Sequence, residues 1–270
     1  MKVITFANHK GGCGKTTSAL NLAVTLAHSG ARVLAVDLDF QGNLSAALGA
    51  SPVDLETNHL TSHRLLLAER ADFSAYIFPA RPRLALIPSC LDAEAEAGLE
   101  GAAVARELAL TQRLQAARAH YDFCVVDTPP SLRVPTLNAL ALADLVVVPV
   151  ESSMFALLGL AQLLRTIGRV KDTFAPGLIP MALTTIYSAR QTIDRQIRQQ
   201  VLERFGDNLV FQTTIPRLVA FSEAQARLGA VIEHSPESPG TFAFRKLAAE
   251  IKEVFDNEEA ASRRDQRQSS

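Results

Sequence analysis

Residues 10 to 17 read Lys-Gly-Gly-Cys-Gly-Lys-Thr-Thr, a run able to hold phosphate. Glycine tolerates left-handed backbone, so Gly11, Gly12 and Gly14 permit a tight path that aims several N–H groups at one anion. Lys15 follows at the spacing that reaches phosphate oxygens, and the Thr16 hydroxyl suits a magnesium ion. Cys13 and Thr17 complete the loop, and Lys10 adds a second cation at its front. The strict spacing of such loops fails at one place. His9 occupies the first glycine position, and Lys10-Gly11-Gly12 takes over its role.

Two later segments carry carboxylates that suit such a loop. The first is Asp37-Leu-Asp39-Phe-Gln-Gly-Asn43. Carboxylates two apart on a strand point the same way, and at the C-terminal edge of a parallel sheet they face the ligand crevice. One can hold a magnesium-bound water, and the other can orient an attacking water. The second segment is the apolar run from Phe123 that ends in Asp127. It reads as a Walker B strand, whose carboxylate touches magnesium through water. Thr128-Pro129-Pro130 then forces an extended exit, because proline restricts the residue before it.

The surrounding elements must place these groups on one edge. Val3 to Ala7 is an apolar strand ahead of the loop. Ala19, Leu20, Ala23, Leu26 and Ala27 recur at helical spacing after it, and Gly30 stops that helix. Arg32 to Asp37 is the next strand. Strand, loop, helix, strand is the repeating unit of an α/β protein with a mostly parallel sheet. Asp144 to Val150 and Gly177 to Thr185 read as further strands, and Pro180 argues for an edge position or a bulge in the latter. A helix over about 192 to 205 sets Ile193, Ile197, Val201 and Leu202 on one side and Arg195, Arg198 and Arg204 on the other. The last helix, about 242 to 255, buries Leu247, Ile251, Val254 and Phe255. Residues 51 to 83 show weak patterning, with a short helix near His63 to Arg70. His59 and His63 read as solvated, and no third metal ligand lies nearby. One domain is expected over 1 to 256, followed by a disordered polar tail over 257 to 270.

The 270 residues carry a formal net charge of −1, so contact with DNA or anionic lipid requires a local patch. Cys13, Cys90 and Cys124 are too few and too scattered for a disulfide framework or a zinc site. Neither a signal peptide nor a membrane span is read, which predicts a soluble, cytoplasmic protein.

These segments together resemble the ParA/Soj family of deviant Walker ATPases, within the wider MinD/ParA group. The resemblance rests on Lys10 to Thr17, the run at 37 to 43, and Asp127 to Pro130. Val148-Pro-Val-Glu151 with Phe155 and Gly159, and Ile215-Pro-Arg217 followed by Ser222-Glu-Ala224, extend it. It implies a three-layer P-loop NTPase fold, a twisted sheet flanked by helices, and ATP sandwiched in a homodimer. By this resemblance Lys10, Lys15 and Asp39 are catalytic, with Lys10 reaching the partner's phosphates and Asp39 positioning the hydrolytic water. Nucleotide contacts fall to residues 10 to 17, Asp127, Pro216 and Arg217. Mg²⁺ falls to Thr16, Asp39 and Asp127. The ATP-bound dimer would bind double-stranded DNA nonspecifically, with Arg190 and Arg217 at matching positions, and would associate with the nucleoid. A ParB-like partner would stimulate slow intrinsic hydrolysis and so drive chromosome or plasmid segregation.

Four residues depart from the family pattern: Phe40 for proline, Glu151 for glutamine, Leu218 for asparagine and Gln225 for proline. Between Leu160 and Glu250 eleven Lys/Arg face eight Asp/Glu, so a DNA surface would need its arginines on one face and doubled by dimerisation. Two other readings share the loop. One positions a non-DNA cargo on the nucleoid. The other is a MinD-like division-site regulator, which would require a membrane-binding amphipathic C-terminal helix.

Overall fold

The computed structural model describes residues 1–100, 107–152 and 156–268. The N-terminal half runs β1 (Lys2–Phe6), α1 (Lys15–His28), β2 (Val33–Asp37), α2 (Asn43–Ala47), α3 (Pro52–Asn58), α4 (Ser62–Leu67), β3 (Phe78–Arg81), β4 (Leu84–Ile87), α5 (Ala93–Glu100) and α6 (Ala109–Arg113). The C-terminal half runs β5 (Phe123–Asp127), α7 (Val134–Leu142), β6 (Leu145–Glu151), α8 (Ala156–Thr173), β7 (Ile179–Thr185), α9 (Thr192–Phe205), α10 (Val219–Ala226), α11 (Val231–His234) and α12 (Pro239–Gln268).

The seven strands form one sheet in the order β3-β4-β2-β5-β1-β6-β7, parallel except for the β3–β4 pair. Valine, isoleucine and leucine fill β1, β2, β5 and β6 as near-continuous runs, and their side chains are buried. That composition marks strands covered on both faces. The expected mostly parallel sheet flanked by helices is therefore present. β7 is an edge strand, which accommodates Pro180 because a proline nitrogen cannot donate to a second neighbour.

Register does the positioning. β2 and β5 pair residue for residue from Val33–Phe123 to Asp37–Asp127, so both strands end on an aspartate at the same level. β1 lies on the other side of β5, with Phe6 opposite Asp127, and feeds the phosphate loop directly into α1.

The last helix differs from expectation. α12 begins at Pro239 and continues to Gln268, so the helix runs past residue 256 into the segment expected as a polar tail, of which residues 269–270 lie outside the described residues. That stretch is rich in alanine, glutamate, arginine and glutamine, which are good helix formers. Its first turn is tied down as well: the Lys2 ammonium lies 3.1 Å from Glu259 and 5.1 Å from the Phe255 ring centroid. Further back, Phe244, Leu247, Ile251 and Phe255 are buried in one cluster with Leu22 and Leu26 of α1. Each such side chain contributes about 1.5–3 kcal/mol on burial. The apolar stripe of α12 is thus core, which removes the basis for reading it as a membrane-seeking face. Among the described residues no helix is long and apolar enough to cross a membrane.

The short helix read near His63 to Arg70 is α4, and it ends at Leu67. Phe155, part of the family-like run after β6, lies outside the described residues.

Candidate functional site

The phosphate loop is braced from three directions before any ligand arrives. Gly12 and Gly14 take φ of 74° and 88°, the left-handed values their lack of a Cβ permits. The Thr185 hydroxyl at the end of β7 donates to the Cys13 carbonyl at 2.8 Å. The Asn8 side chain donates to the Pro149 carbonyl at 2.7 Å and accepts from the Lys10 N–H at 3.1 Å. Cys13 is buried, which pushes its thiol up, so it packs the loop rather than offering a thiolate. The loop ends at the N-terminus of α1, whose first-turn N–H groups and dipole favour an anion.

A cavity of about 530 Å³ opens on this loop. Its lining includes Gly11, Gly12, Gly14, Lys15, Thr16, Thr17, Asp39, Pro216 and Arg217, so expected site residues from separate strand ends converge on one space. Lys15 is nearly buried, with its ammonium 3.1 Å from the Lys10 carbonyl. Lys10 does not line this cavity. Its ammonium forms an ion pair with Glu151 at the end of β6.

The two strand-end aspartates have different work. Asp37 is wholly engaged: Oδ2 accepts from the Ser45 N–H at 2.9 Å and the Ser45 hydroxyl at 2.7 Å, and Oδ1 accepts from the Asp39 N–H at 3.1 Å. It anchors the loop and does not face the ligand space. The expectation that Asp37 and Asp39 share one strand face is corrected here, because β2 ends at Asp37 and Asp39 lies beyond it. Asp39 turns instead into the cavity. At Gly42 the chain passes so close to Ser89 that a Cβ would sit 2.6 Å from its carbonyl oxygen, and φ is +61°. The loop therefore follows a path open only to glycine at that point.

Asp127 is fully buried and half satisfied. Its Oδ2 accepts from the Thr16 hydroxyl at 2.6 Å, while Oδ1 has no partner. Burial, and then the neighbouring Asp37 charge, hold the Asp127 carboxyl well above the usual carboxylate range. A buried carboxylate oxygen without a partner, beside a threonine hydroxyl at the start of a phosphate-binding helix, fits a magnesium ion held partly through water. Thr16 and Asp127 are the residues that would hold it. No cluster of three or more His, Cys, Asp or Glu suited to a metal occurs among the described residues, so phosphate oxygens and waters would complete the shell.

Arg190 and Arg217 are exposed on neighbouring segments at the β7 edge, where Tyr187 bridges to Pro216 and the Arg217 N–H donates to the Tyr187 carbonyl at 3.2 Å. Arg198 is not a surface cation of the same kind. Its guanidinium donates to Thr184 Oγ1 at 3.2 Å and to the Phe211 and Gln212 carbonyls, so it ties α9 to the sheet.

Two contributions escaped the sequence reading. Gln225, noted only as a departure, donates to Thr17 Oγ1 at 3.0 Å and joins α10 to the phosphate loop. His63, read as solvated, is buried with no exposed surface, and burial pushes it down to about 4. Nothing local marks it as buried, since its neighbours come from the distant segments at Phe40 and Ser89. Cys124 is also buried, its thiol pushed up to about 12, as expected for a core residue.

The Asp127 environment has a measurable consequence. A carboxyl whose folded pKa is raised loses stabilising effect as pH rises above its unfolded value near 4. Asp127→Asn should therefore stabilise the nucleotide-free protein by on the order of 1–2 kcal/mol at pH 8 and by less at pH 5. Urea unfolding of both proteins at the two pH values checks this, and equal stability at pH 8 would contradict it.

Residues 1–179 match the family model of an AAA domain. The chain is 38% identical over 254 residues to the chromosome partitioning protein ParA of Caulobacter vibrioides, covering 93% of this chain and 94% of that protein. It is 40% identical over 251 residues to the chromosome-partitioning ATPase Soj of Thermus thermophilus, covering 92% and 94%. Among solved structures it resembles cobyrinic acid a,c-diamide synthase from Mycobacterium smegmatis with bound ADP and magnesium, at a TM-score of 0.80 and 34% identity over 95% of this chain and 96% of that one. The cell division ATPase MinD of Pyrococcus furiosus superposes with a TM-score of 0.75 at 25% identity, covering 94% and 99%. A phosphate loop fronted by Lys10, an acidic strand end behind Thr16, and likeness at this level over nearly the whole chain place this protein in the AAA-domain family, within its ParA/Soj branch of partition ATPases.

Proposed function

We propose that this chain is a Mg²⁺-dependent ATPase with slow intrinsic turnover that dimerises around ATP, binds DNA without sequence preference and segregates DNA under the control of an activating partner. The observation that carries the reading is the placement of the two lysines. Lys15 is held inside the cavity of its own subunit, and Lys10 is held outside it on Glu151. A cation at the front of the phosphate loop that does not line its own subunit's cavity is suited to a second subunit's phosphates. Partition relatives at 38–40% identity support the DNA cargo over small-molecule synthesis.

In the dimer each site would draw on both chains. Gly11, Gly12, Gly14 and Lys15 hold the phosphates through backbone N–H groups and one ammonium. Magnesium, held by Thr16 and Asp127, would neutralise charge on the phosphate oxygens. Pro216 and Arg217 line the same cavity and would border the base and ribose. Asp39 would orient the attacking water, and the partner's lysine would stabilise charge developing on the transferred group. ADP and magnesium in the mycobacterial relative support this ligand pair. Placement on the nucleoid would follow from DNA binding through Arg190 and Arg217.

Two outcomes are expected. Arg190→Glu should leave ATP-dependent dimerisation intact and weaken retention on nonspecific duplex DNA by at least about tenfold at low salt, since phosphate contacts dominate such binding. Filter binding across a salt series checks this, and unchanged retention would move the DNA surface elsewhere. The Lys10–Glu151 pair must open when Lys10 crosses to a partner. Glu151→Gln should therefore tighten nucleotide-dependent dimerisation by about fivefold, the scale of a partly exposed ion pair. Sedimentation with a non-hydrolysable ATP analogue measures it, and weaker or unchanged association would show that Glu151 does not restrain Lys10.

A further inference from the structure

The loop that carries Asp39 rests on a buried imidazole that the phosphate chemistry does not use. His63, in the first turn of α4, stacks on Phe40 with ring centroids 3.5 Å apart and planes 10° from parallel. Its Nε2 lies 3.0 Å from the Leu38 carbonyl, which can only accept, so Nε2 carries the proton. Nδ1 then accepts from the Ser89 hydroxyl at 3.2 Å. The neutral ring is fully matched by these two bonds.

His63 thus touches the residue on each side of Asp39: Leu38 by a hydrogen bond and Phe40 by its ring. The same bracing continues beneath the loop. The Ser89 N–H donates to Ser45 Oγ at 2.8 Å, Ser45 donates to Asp37, and Asp37 accepts from the Asp39 N–H. The backbone before Asp39 is therefore fixed by strand pairing and Asp37. The backbone after it is held within the turn, by the Gln41 N–H donating to Asp39 Oδ1 at 3.1 Å and the Gly42 N–H donating to the Asp39 carbonyl at 2.9 Å, and Phe40 between them is only half-buried. A proline at position 40 would lock φ by its ring. A phenylalanine has no such lock, and here the stack on His63 adds a restraint from outside the turn.

We propose that His63 is a positioning residue for Asp39, acting through the Phe40 ring and the Leu38 carbonyl to hold the Asp39–Gln41 turn in one geometry. The proposal rests on Asp39 being the water-orienting carboxylate. Small displacements of such a group are costly in rate, because the attacking water must stay aligned.

The test uses the full-length protein with MgATP and, separately, amide hydrogen exchange without nucleotide. His63→Ala and Phe40→Leu should each lower kcat about tenfold with KM changed by less than about twofold, because ground-state binding is untouched. Exchange across residues 38–43 should quicken about tenfold in both variants, because the restraint on that turn is lost. Phe40→Pro placed in the His63→Ala background should recover most of the lost kcat. Should His63→Ala fail to fold, Phe40→Leu carries the test, since that side chain is half-exposed. Wild-type kcat and exchange in Phe40→Leu would overturn the proposal, as would a His63→Ala defect that Phe40→Pro fails to relieve. Asp39→Ala is the control: normal turnover there would overturn the role of Asp39 itself, an outcome distinct from failure of the His63 variants alone.

Discussion

Two carboxyl groups buried side by side set the terms for this site. The β2–β5 register brings Asp37 and Asp127 to the same level at the C-terminal edge of the sheet, out of contact with water. Like charges in that setting oppose ionisation, and the fold resolves the conflict asymmetrically. Asp37 is given three donors, two from Ser45 and one from Asp39, and becomes part of the framework. Asp127 is given one donor, Thr16, and keeps an oxygen without a partner. The unmet demand of Asp127 lies beside a glycine loop whose N–H groups call for anions. A magnesium–phosphate pair would answer both at once.

The same logic of unfinished pairing extends to the cations. Lys15 is enclosed by the loop it belongs to, while Lys10 is parked on Glu151 outside the cavity. Under the proposed shared site, Lys15 would serve its own subunit and a second copy would receive Lys10. The ion pair with Glu151 gives the single chain somewhere to hold that charge, and its opening would be part of the cost of pairing.

Much of the architecture was legible because it is local. The glycine-lysine-threonine run, the valine-rich strands and the proline in an edge strand each state their structure through backbone chemistry. Legibility fell where long-range packing decides. Asp37 and Asp39 look like equal partners in sequence, yet the strand ends between them, so one is framework and the other faces ligand. His63 carries no local sign of burial, because its neighbours Phe40 and Ser89 are 23 and 26 residues away in sequence. Arg198 shares helical spacing with Arg195 and Arg204, but only the three-dimensional structure shows it bonded to the sheet edge. The segment after Asp256 reads as polar tail, and its helix follows from continuity with a buried stripe and from Lys2, which comes from the opposite end of the chain.

Complementation between two inactive variants tests the shared site most directly. A Lys10→Ala chain keeps its own Asp39, and an Asp39→Ala chain keeps the lysine it would lend. Mixed one to one, they should regain about a quarter of wild-type ATP turnover, because half of the dimers are mixed and each holds one complete site. A mixture as inactive as either variant alone would show that Lys10 serves only its own subunit, and the account of a shared site would be wrong.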